Sequence, residues 1–353
     1  MPALSSHPLP PLHFPERSRG IRVTPAAPEA EPRSSPRPIP TPRMPPLLAG
    51  RYTIDRYLDK GGTSRVYLGW DELCEDDVVI KVLTDEAARC RVLRGHFLVG
   101  SRAALSIQHE NIVRVLAVRE PDAGPPYMVM EVLRGELLAD LLDRKPQLST
   151  RATLSLAAQT ACGLIALHAA GITHCDIKPE NLYLTSAPGS ATNLKILDFG
   201  LAEVEGKSAT SDAPAVRGTA QYMAPEQVLG DPVDARTDVY ALGVVMFRML
   251  TGQLPFDLKL STTLLRHQLF SPTPPPSWLC EGLDPRVEGI VLRAVRKNPE
   301  NRYGSAEELL ADLERVSNGG SLPPAPEPTQ PDVYTPRSRH GQKAAEILGK
   351  PCT

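Results

Sequence analysis

Six cysteines occur in the 353 residues (Cys74, Cys90, Cys162, Cys175, Cys280, Cys352), and none forms a C-x-x-C pair. That spacing disfavours both a zinc site and a disulfide framework. Long apolar runs are also missing. The longest, Ala241 to Leu250, is interrupted by Arg248 and falls well short of the ~20 residues that cross a bilayer. The first residues, M-P-A-L-S-S-H-P-L-P-P, lack the charged leader and apolar centre of a signal peptide. These absences predict a cytoplasmic protein in a reducing compartment, with no membrane span. Charge of one sign is absent too. The formal net charge is −2, and the stretch between the two proline-rich ends holds 29 bases and 35 acids. No dense basic stripe is present, so no nucleic-acid partner is expected. There is no internal repeat.

Proline is plentiful and unevenly placed. Of 37 prolines, 14 lie in residues 1–48 and seven in residues 317–353. Each fixes φ and removes a backbone donor, and neither stretch has periodic apolar positions, so both are expected to be disordered tails. One short helix near Lys343 to Leu348 is the exception considered. The remaining body, residues 49–316, is long enough to bury a sizeable core. Proline-rich arms can dock on aromatic grooves of a partner, and Ser35-Pro36, Thr41-Pro42 and Thr335-Pro336 offer hydroxyls. A passive linker is the plainer reading of them.

Within the body, residues 49–132 show short β-branched runs: Val66-Tyr67-Leu68, Val78-Val79-Ile80, Ile112 to Val115 and Met128-Val129-Met130. One helical stretch, about Glu86 to Ser106, interrupts them. From residue 135 to 316 the period lengthens. Leu154, Ala158, Ala161, Ile165 and His168 recur at three- and four-residue steps, as do Val287, Val291 and Ala294, and Leu309, Leu313 and Val316. Ser305 with Glu308 reads as a capping box. The predicted fold class is α+β: a small strand-rich half with one helix, then a larger helical half.

Chemistry-bearing residues follow in order. Leu58 to Tyr67 encloses Gly61-Gly62 between two predicted strands. Such a turn is a plain hairpin, or one whose exposed amides face phosphate oxygens. Lys81 ends the strand Val78-Val79-Ile80, as a solvent-seeking edge residue or as a fixed charge for a polyphosphate. His174-Cys175-Asp176-Ile177-Lys178-Pro179-Glu180-Asn181 gathers an acid, a base and an amide. Then come Leu197-Asp198-Phe199-Gly200, Gly218 to Glu226 ending in A-P-E, Asp238 to Gly243, and Arg302. In this ordered set the chain resembles the eukaryotic-like (Hanks-type) protein kinases, particularly the bacterial serine/threonine branch, from about Tyr52 to Val316.

The resemblance implies a bilobal kinase fold and transfer of the ATP γ-phosphoryl group to serine or threonine hydroxyls of proteins, with ATP and Mg²⁺ as cofactors. By the same resemblance Asp176 would orient the hydroxyl and accept its proton, and Lys178 would stabilise the transferring group. Lys81 would hold phosphates. Leu58, Gly61, Gly62, Val66, Met130, Glu131 and Leu133 would surround the nucleotide, with Met130 as gatekeeper before a hinge. Asp198 would bind Mg²⁺ bridging the phosphates, and Asn181 would bind a second metal. Glu226 and Arg302 would form a buried ion pair, Asp238 would hold the catalytic-loop backbone, and His174 would be a core histidine. Ser208, Thr210, Ser211 and Thr219 fall in the activation segment as possible phosphosites.

Three departures qualify this expectation. Gly100 stands where the family's helix glutamate pairs the lysine, and no acid occurs between Ala87 and His109. Lys81 is therefore expected to rest on another carboxylate, Asp198 being nearest. Asp59 and Ser64 replace the first and third loop glycines; Asp59 would repel the nucleotide or point to solvent. Cys175 replaces an arginine that grips a phosphorylated activation-segment residue, so phosphorylation is not expected to be a strict on-switch. The first two departures leave a second reading open, a weakly active or inactive kinase-fold scaffold.

Overall fold

The computed structural model describes residues 47–48, 50–122, 124–185, 192–199, 203–204, 220–257, 262–323 and 332–348. In chain order the elements are β1 (Leu47–Leu48), β2 (Tyr52–Lys60), β3 (Ser64–Asp71), β4 (Asp76–Leu83), α1 (Asp85–Arg89), α2 (Arg91–Ala104), β5 (Val115–Arg119) and β6 (Tyr127–Glu131). Then follow β7 (Gly135–Leu137), α3 (Leu138–Arg144), α4 (Thr150–Ala169), β8 (Ile172–Thr173), β9 (Leu182–Thr185), β10 (Asn193–Ile196) and β11 (Glu203–Val204). Six helices close the list: α5 (Pro225–Leu229), α6 (Ala235–Thr251), α7 (Thr262–Phe270), α8 (Pro285–Ala294), α9 (Ala306–Ser317) and α10 (Arg339–Leu348).

Strands β1 to β6 form one antiparallel sheet in the order β1-β2-β3-β4-β6-β5. Alternation along a strand sends successive side chains to opposite faces, and here each face has its own core. Val78, Ile80 and Val82 of β4 join Tyr127 and Val129 in a small cluster on one side. Leu83, Met128 and Met130 belong to the main core on the other, which continues through α4, α6, α8 and α9. Lys81, between Ile80 and Val82, is thereby turned toward the helical half. Helix α4 is long and apolar enough to cross a membrane, but its Leu154, Leu156, Ala157, Ala161, Leu164 and Leu167 are buried against α6 and α9. It is the core helix of the larger half.

Several elements differ from the sequence expectation. The single helix at about 86–106 is two, because Cys90 is extended (φ −78°, ψ 108°), ending α1 and starting α2. Thr84 caps α1 by accepting from the Ala87 amide at 3.2 Å. The strand expected at Ile112 begins only at Val115; Ile112 instead makes an isolated parallel bridge to Ile196. Ser305 caps α9 by accepting from Glu308 N at 3.4 Å, but the returning arm, Glu308 Oε2, accepts from Gly304 N. Leu47 and Leu48, assigned to the N-terminal tail, pair with β2; residues 1–46 lie outside the described residues.

The larger correction is at the other end. Residues 332–348 fall in a tail expected to be disordered apart from a short helix near Lys343 to Leu348; they are ordered throughout, with Tyr334 buried and the helix, α10, starting earlier at Arg339 and packing on α5 and α7. A segment poor in periodic apolar positions is held here by contacts to the body, which no local pattern records.

Candidate active site

Lys81 is only 7% exposed. Its Nζ is ion-paired with Asp198 Oδ1, so the carboxylate expected in place of the missing helix glutamate is the one that meets it. Asp198 is left-handed, with φ 60°, a conformation Asp tolerates better than most residues. The next residue, Phe199, is fully buried, its ring edge-on to His174 with centroids 5.8 Å apart. Gly200 lies outside the described residues.

The loop around Asp176 is built from below. Asp238, buried near the start of α6, accepts from the amides of His174 and Cys175 at 2.8 Å each, and His168 Nε2 lies 2.8 Å from it. These bonds hold Cys175 at φ 64°, a left-handed conformation that costs a β-carbon-bearing residue roughly 1–2 kcal/mol. Gln227 Nε2 donates to the Cys175 carbonyl at 2.7 Å, fastening α5 to the same loop. His174 is a buried core residue, with Nε2 2.8 Å from the Leu197 carbonyl.

Asp176 itself faces Lys178, whose Nζ lies 2.9 and 2.8 Å from its two carboxylate oxygens. Asn181 Nδ2 donates to Asp176 Oδ2 at 2.9 Å and to the Asp176 carbonyl at 2.8 Å. Pro179 opens the turn Pro179–Asn181 that carries the asparagine back. Burial pushes the Asp176 carboxyl above its ordinary value, the Lys178 charge opposes this, and the Asp198 charge adds to it. An acceptor with a raised pKa, held by a lysine and an amide, is suited to take a proton from a hydroxyl.

Around the nucleotide positions expected from the sequence, Gly61 and Gly62 form the β2–β3 turn, and Leu58 and Val66 lie on its two strands. Asp59 is exposed, next to a register shift at Tyr57/Asp59, while Ser64 is buried. Met130 is buried near the end of β6, before the stretch expected as the hinge. Glu131 turns away, its Oε1 accepting from Arg114 N at 2.8 Å and pairing with Lys195 at 2.9 Å. The Leu133 carbonyl accepts from Tyr183 Oη at 3.4 Å. Ser208, Thr210, Ser211 and Thr219 lie outside the described residues.

Glu226 and Arg302 meet in a two-pronged buried pair at 2.7 and 2.8 Å, and Thr237 Oγ1 donates to Glu226 Oε1 at 2.8 Å. Arg302 also donates to the Arg296, Arg236 and Lys297 carbonyls. Three residues of this framework were missed from the sequence: Gln227, His168 and Thr237. Gln227 directly follows A-P-E, a usable signal. The others carry none, since their partners are 11 or more residues away.

A hard cation such as Mg²⁺ takes one or two carboxylates together with phosphate oxygens. The Asp198 carboxylate and the Asn181 amide are donors of that kind, and the Asn181 nitrogen is already engaged by Asp176, which turns its carbonyl oxygen to the other side. The donor set fits. Among the described residues no cluster of three acids, histidines or cysteines could hold a metal by itself.

A small antiparallel sheet bearing a buried lysine, set on a helical half that supplies the facing carboxylates, is the architecture of the protein kinase class. Residues 52–312 match the protein kinase domain family. The chain is 39% identical over 302 residues to serine/threonine-protein kinase PknB of Mycobacterium tuberculosis (strain ATCC 25618 / H37Rv), covering 84% of this chain and 46% of that protein. It is 37% identical to serine/threonine-protein kinase Pkn1 of Myxococcus xanthus, covering 83% and 44%. The crystal structure of the Mycobacterium tuberculosis PknI kinase domain superposes with a TM-score of 0.61 at 26% identity, over 76% of this chain and 98% of that one. The chain belongs to the protein kinase domain family, in its bacterial serine/threonine branch. It spans less than half the length of the curated relatives it matches.

Proposed function

We propose that the chain transfers the γ-phosphoryl group of ATP to serine or threonine hydroxyls of proteins. The observation that carries this reading is the Asp176 carboxylate, clasped by Lys178 and Asn181 and charge-coupled to Asp198, which in turn holds Lys81. Asp176 accepts the hydroxyl proton as the oxygen attacks the γ-phosphorus, and the bond from that phosphorus to the bridging oxygen breaks, releasing ADP. Lys178 lies beside the transferring group and offsets its negative charge. Lys81, freed from its pairing with Asp198 as nucleotide enters, fixes phosphate oxygens. Bound by Asp198 and Asn181, Mg²⁺ would neutralise phosphate charge. Leu58, Gly61, Gly62, Val66 and Met130 enclose the nucleotide, and the 131–133 backbone meets its base.

The site-residue assignments come from the motif resemblance, supported by this geometry. The scaffold alternative draws its support from Gly100, Asp59 and Ser64, and the kinase names of the relatives add none to it. The proposed setting is the cytoplasm. The proline-rich N-terminal stretch is proposed as a linker rather than a docking arm.

The test is labelled phosphate transfer by the purified chain with Mg²⁺ and ATP, to itself and to a basic protein substrate. Asp176→Asn should reduce transfer by about 10²-fold or more. Transfer that persists equally in the variant overturns the proposal and favours the scaffold.

A further inference from the structure

Residues 332–348 meet the body at a place distinct from the cleft. The carboxylate of buried Asp231 gathers them: it accepts from Tyr334 Oη at 3.0 Å, Arg337 N at 2.9 Å and Ser338 N at 2.9 Å, and also from Ser338 Oγ. Asn298 brackets the segment, donating to the Val333 carbonyl at 3.0 Å and accepting from Thr335 N at 3.3 Å. Asp332 accepts from Lys297 N at 2.7 Å, and Tyr334 N donates to the Leu269 carbonyl at 3.2 Å. Arg337 reaches Glu300 at 3.6 Å and Asp234 at 4.0 Å. The apolar side of the segment closes a separate small core. Tyr334, Ala344, Ala345 and Leu348 pack with Ala220, Met223, Val228 and Leu229 and with Leu264 and Leu269 of α7.

Those partners matter by where they lead. Ala220 to Met223 is the described end of the activation segment. Asp231 lies one residue past the α5 cap Gly230, and its N–H donates to the Glu226 carbonyl at 2.8 Å. Glu226 holds Arg302, and Gln227 on the same short helix donates to the Cys175 carbonyl next to Asp176. The segment therefore grips one end of a five-residue helix whose other contacts steady the catalytic loop. Among the described residues its contacts fall on α5, α7 and residues 220–223, 231–234 and 296–300, away from Lys81 and Asp198.

We propose that residues 332–348 form a strap that holds the 220–231 region in its substrate-competent arrangement, so that docking of the strap and ordering of that region are linked. The strap docks on the ordered form, so it favours that form by the free energy of docking. It supports activity and does not block it. This inference deepens the kinase reading and rests on it for the activity readout alone.

Gly341 offers a selective test. A β-carbon there would lie 2.4 Å from Asp231 Oδ1 and 2.7 Å from its Cγ, while an undocked strap accommodates alanine freely and gains helix propensity. Gly341→Ala is compared with Gly289→Ala, the same change in α8 at a position with nothing within 4 Å. Hydrogen exchange is followed in the full chain, with kcat/KM for a basic protein substrate and KM for ATP. Gly341→Ala should speed exchange at both 332–348 and 220–231 by about tenfold. It should lower kcat/KM for the protein substrate by about three- to tenfold and leave KM for ATP within about twofold, with Gly289→Ala near the parent in all respects. Exchange that rises at 332–348 but not at 220–231 overturns the linkage, as does unchanged exchange at 332–348. A rise in kcat/KM would make the strap an inhibitor and overturns the proposal. Should no variant, nor the parent, transfer phosphate, the kinase reading fails while the exchange comparison still decides the strap.

Discussion

Asp176 carries opposed influences: burial and the Asp198 charge raise its pKa, and Lys178 lowers it. Only the ionised form can take a proton, so kcat/KM should fall on the acid side as pH drops through this pKa. Removing the lysine charge removes the lowering influence. In Lys178→Met the acid limb of the kcat/KM profile should therefore move to higher pH, with a loss at pH 7 of about 10-fold or more. A depressed rate with an unmoved limb would show that Lys178 acts on the phosphate alone. Cys175 gives a second residue-level expectation. Its side chain carries no guanidinium, its amide is bound by Asp238 and its carbonyl by Gln227, so its left-handed backbone is fixed without a phosphate. Replacing Ser208, Thr210 and Ser211 together by alanine should leave phosphate transfer to a protein substrate within about threefold of the parent; abolished transfer would mean that a phosphorylated residue is required after all.

Helix α2 lacks the family's acid and contains Gly95 and Gly100, each costing about 1 kcal/mol relative to alanine. Packing and charge compensate: Phe97, Leu98 and Ala104 are buried, and Arg94 and Arg102 both reach Glu120, just past the end of β5, at 2.8 and 2.6 Å. Ser101 Oγ lies 3.2 Å from Met128 Sδ, and Met128 is the cross-strand partner of Lys81, which sets the 100–101 turn over the lysine's register. Gly100→Glu should accordingly offer Lys81 a second carboxylate and raise the rate of phosphate transfer; an unchanged or lower rate counts against that geometry. What was legible in the sequence at this scale was whatever repeats locally. The strands around Val66, Val78 and Met128 follow from short β-branched runs, and the helices α4, α8 and α9 from apolar positions at steps of three and four. The motif residues Lys81, Asp176, Asn181 and Asp198 follow from order and spacing. The break at Cys90 was not legible, because one extended residue leaves the apolar pattern of α1 and α2 nearly continuous. Nor was the seating of residues 332–348, whose main anchor, Asp231, is more than 100 residues away in the chain and looks like any surface acid.

The helical half is tied together around Arg302, which joins Glu226 of α5 to the backbone of α6 and of the segment after α8. Truncating one partner strands a buried charge, so Arg302→Met should cost about 3–5 kcal/mol in denaturant unfolding. Beside it lies a lysine with no carboxylate partner among the described residues. Lys297 is 0% exposed. Its Nζ lies 3.4 Å from both Tyr240 Oη and the His267 carbonyl and 4.7 Å from the Phe256 ring centroid. Burial pulls its pKa from 10.5 to about 7, Asp332 opposing and Arg302 assisting. Below about pH 7 the ammonium is charged in folded and unfolded chains alike, and its contribution to the pH slope vanishes. Between about 7 and 10.5 the unfolded chain binds one proton more than the folded chain, so this residue makes stability rise with pH, by at most about 1.4 kcal/mol per pH unit. The buried tyrosines Tyr222, Tyr240, Tyr303 and Tyr334, all raised above their ordinary value by burial, act in the opposite sense above about pH 10, so the comparison must be a difference. Unfolding free energies of the parent minus those of Lys297→Met, measured from about pH 6 to 9.5, should be flat up to about pH 7 and climb above it. A flat difference throughout would mean that the folded lysine keeps its proton, with the aromatic faces and carbonyls solvating the ammonium as well as water does.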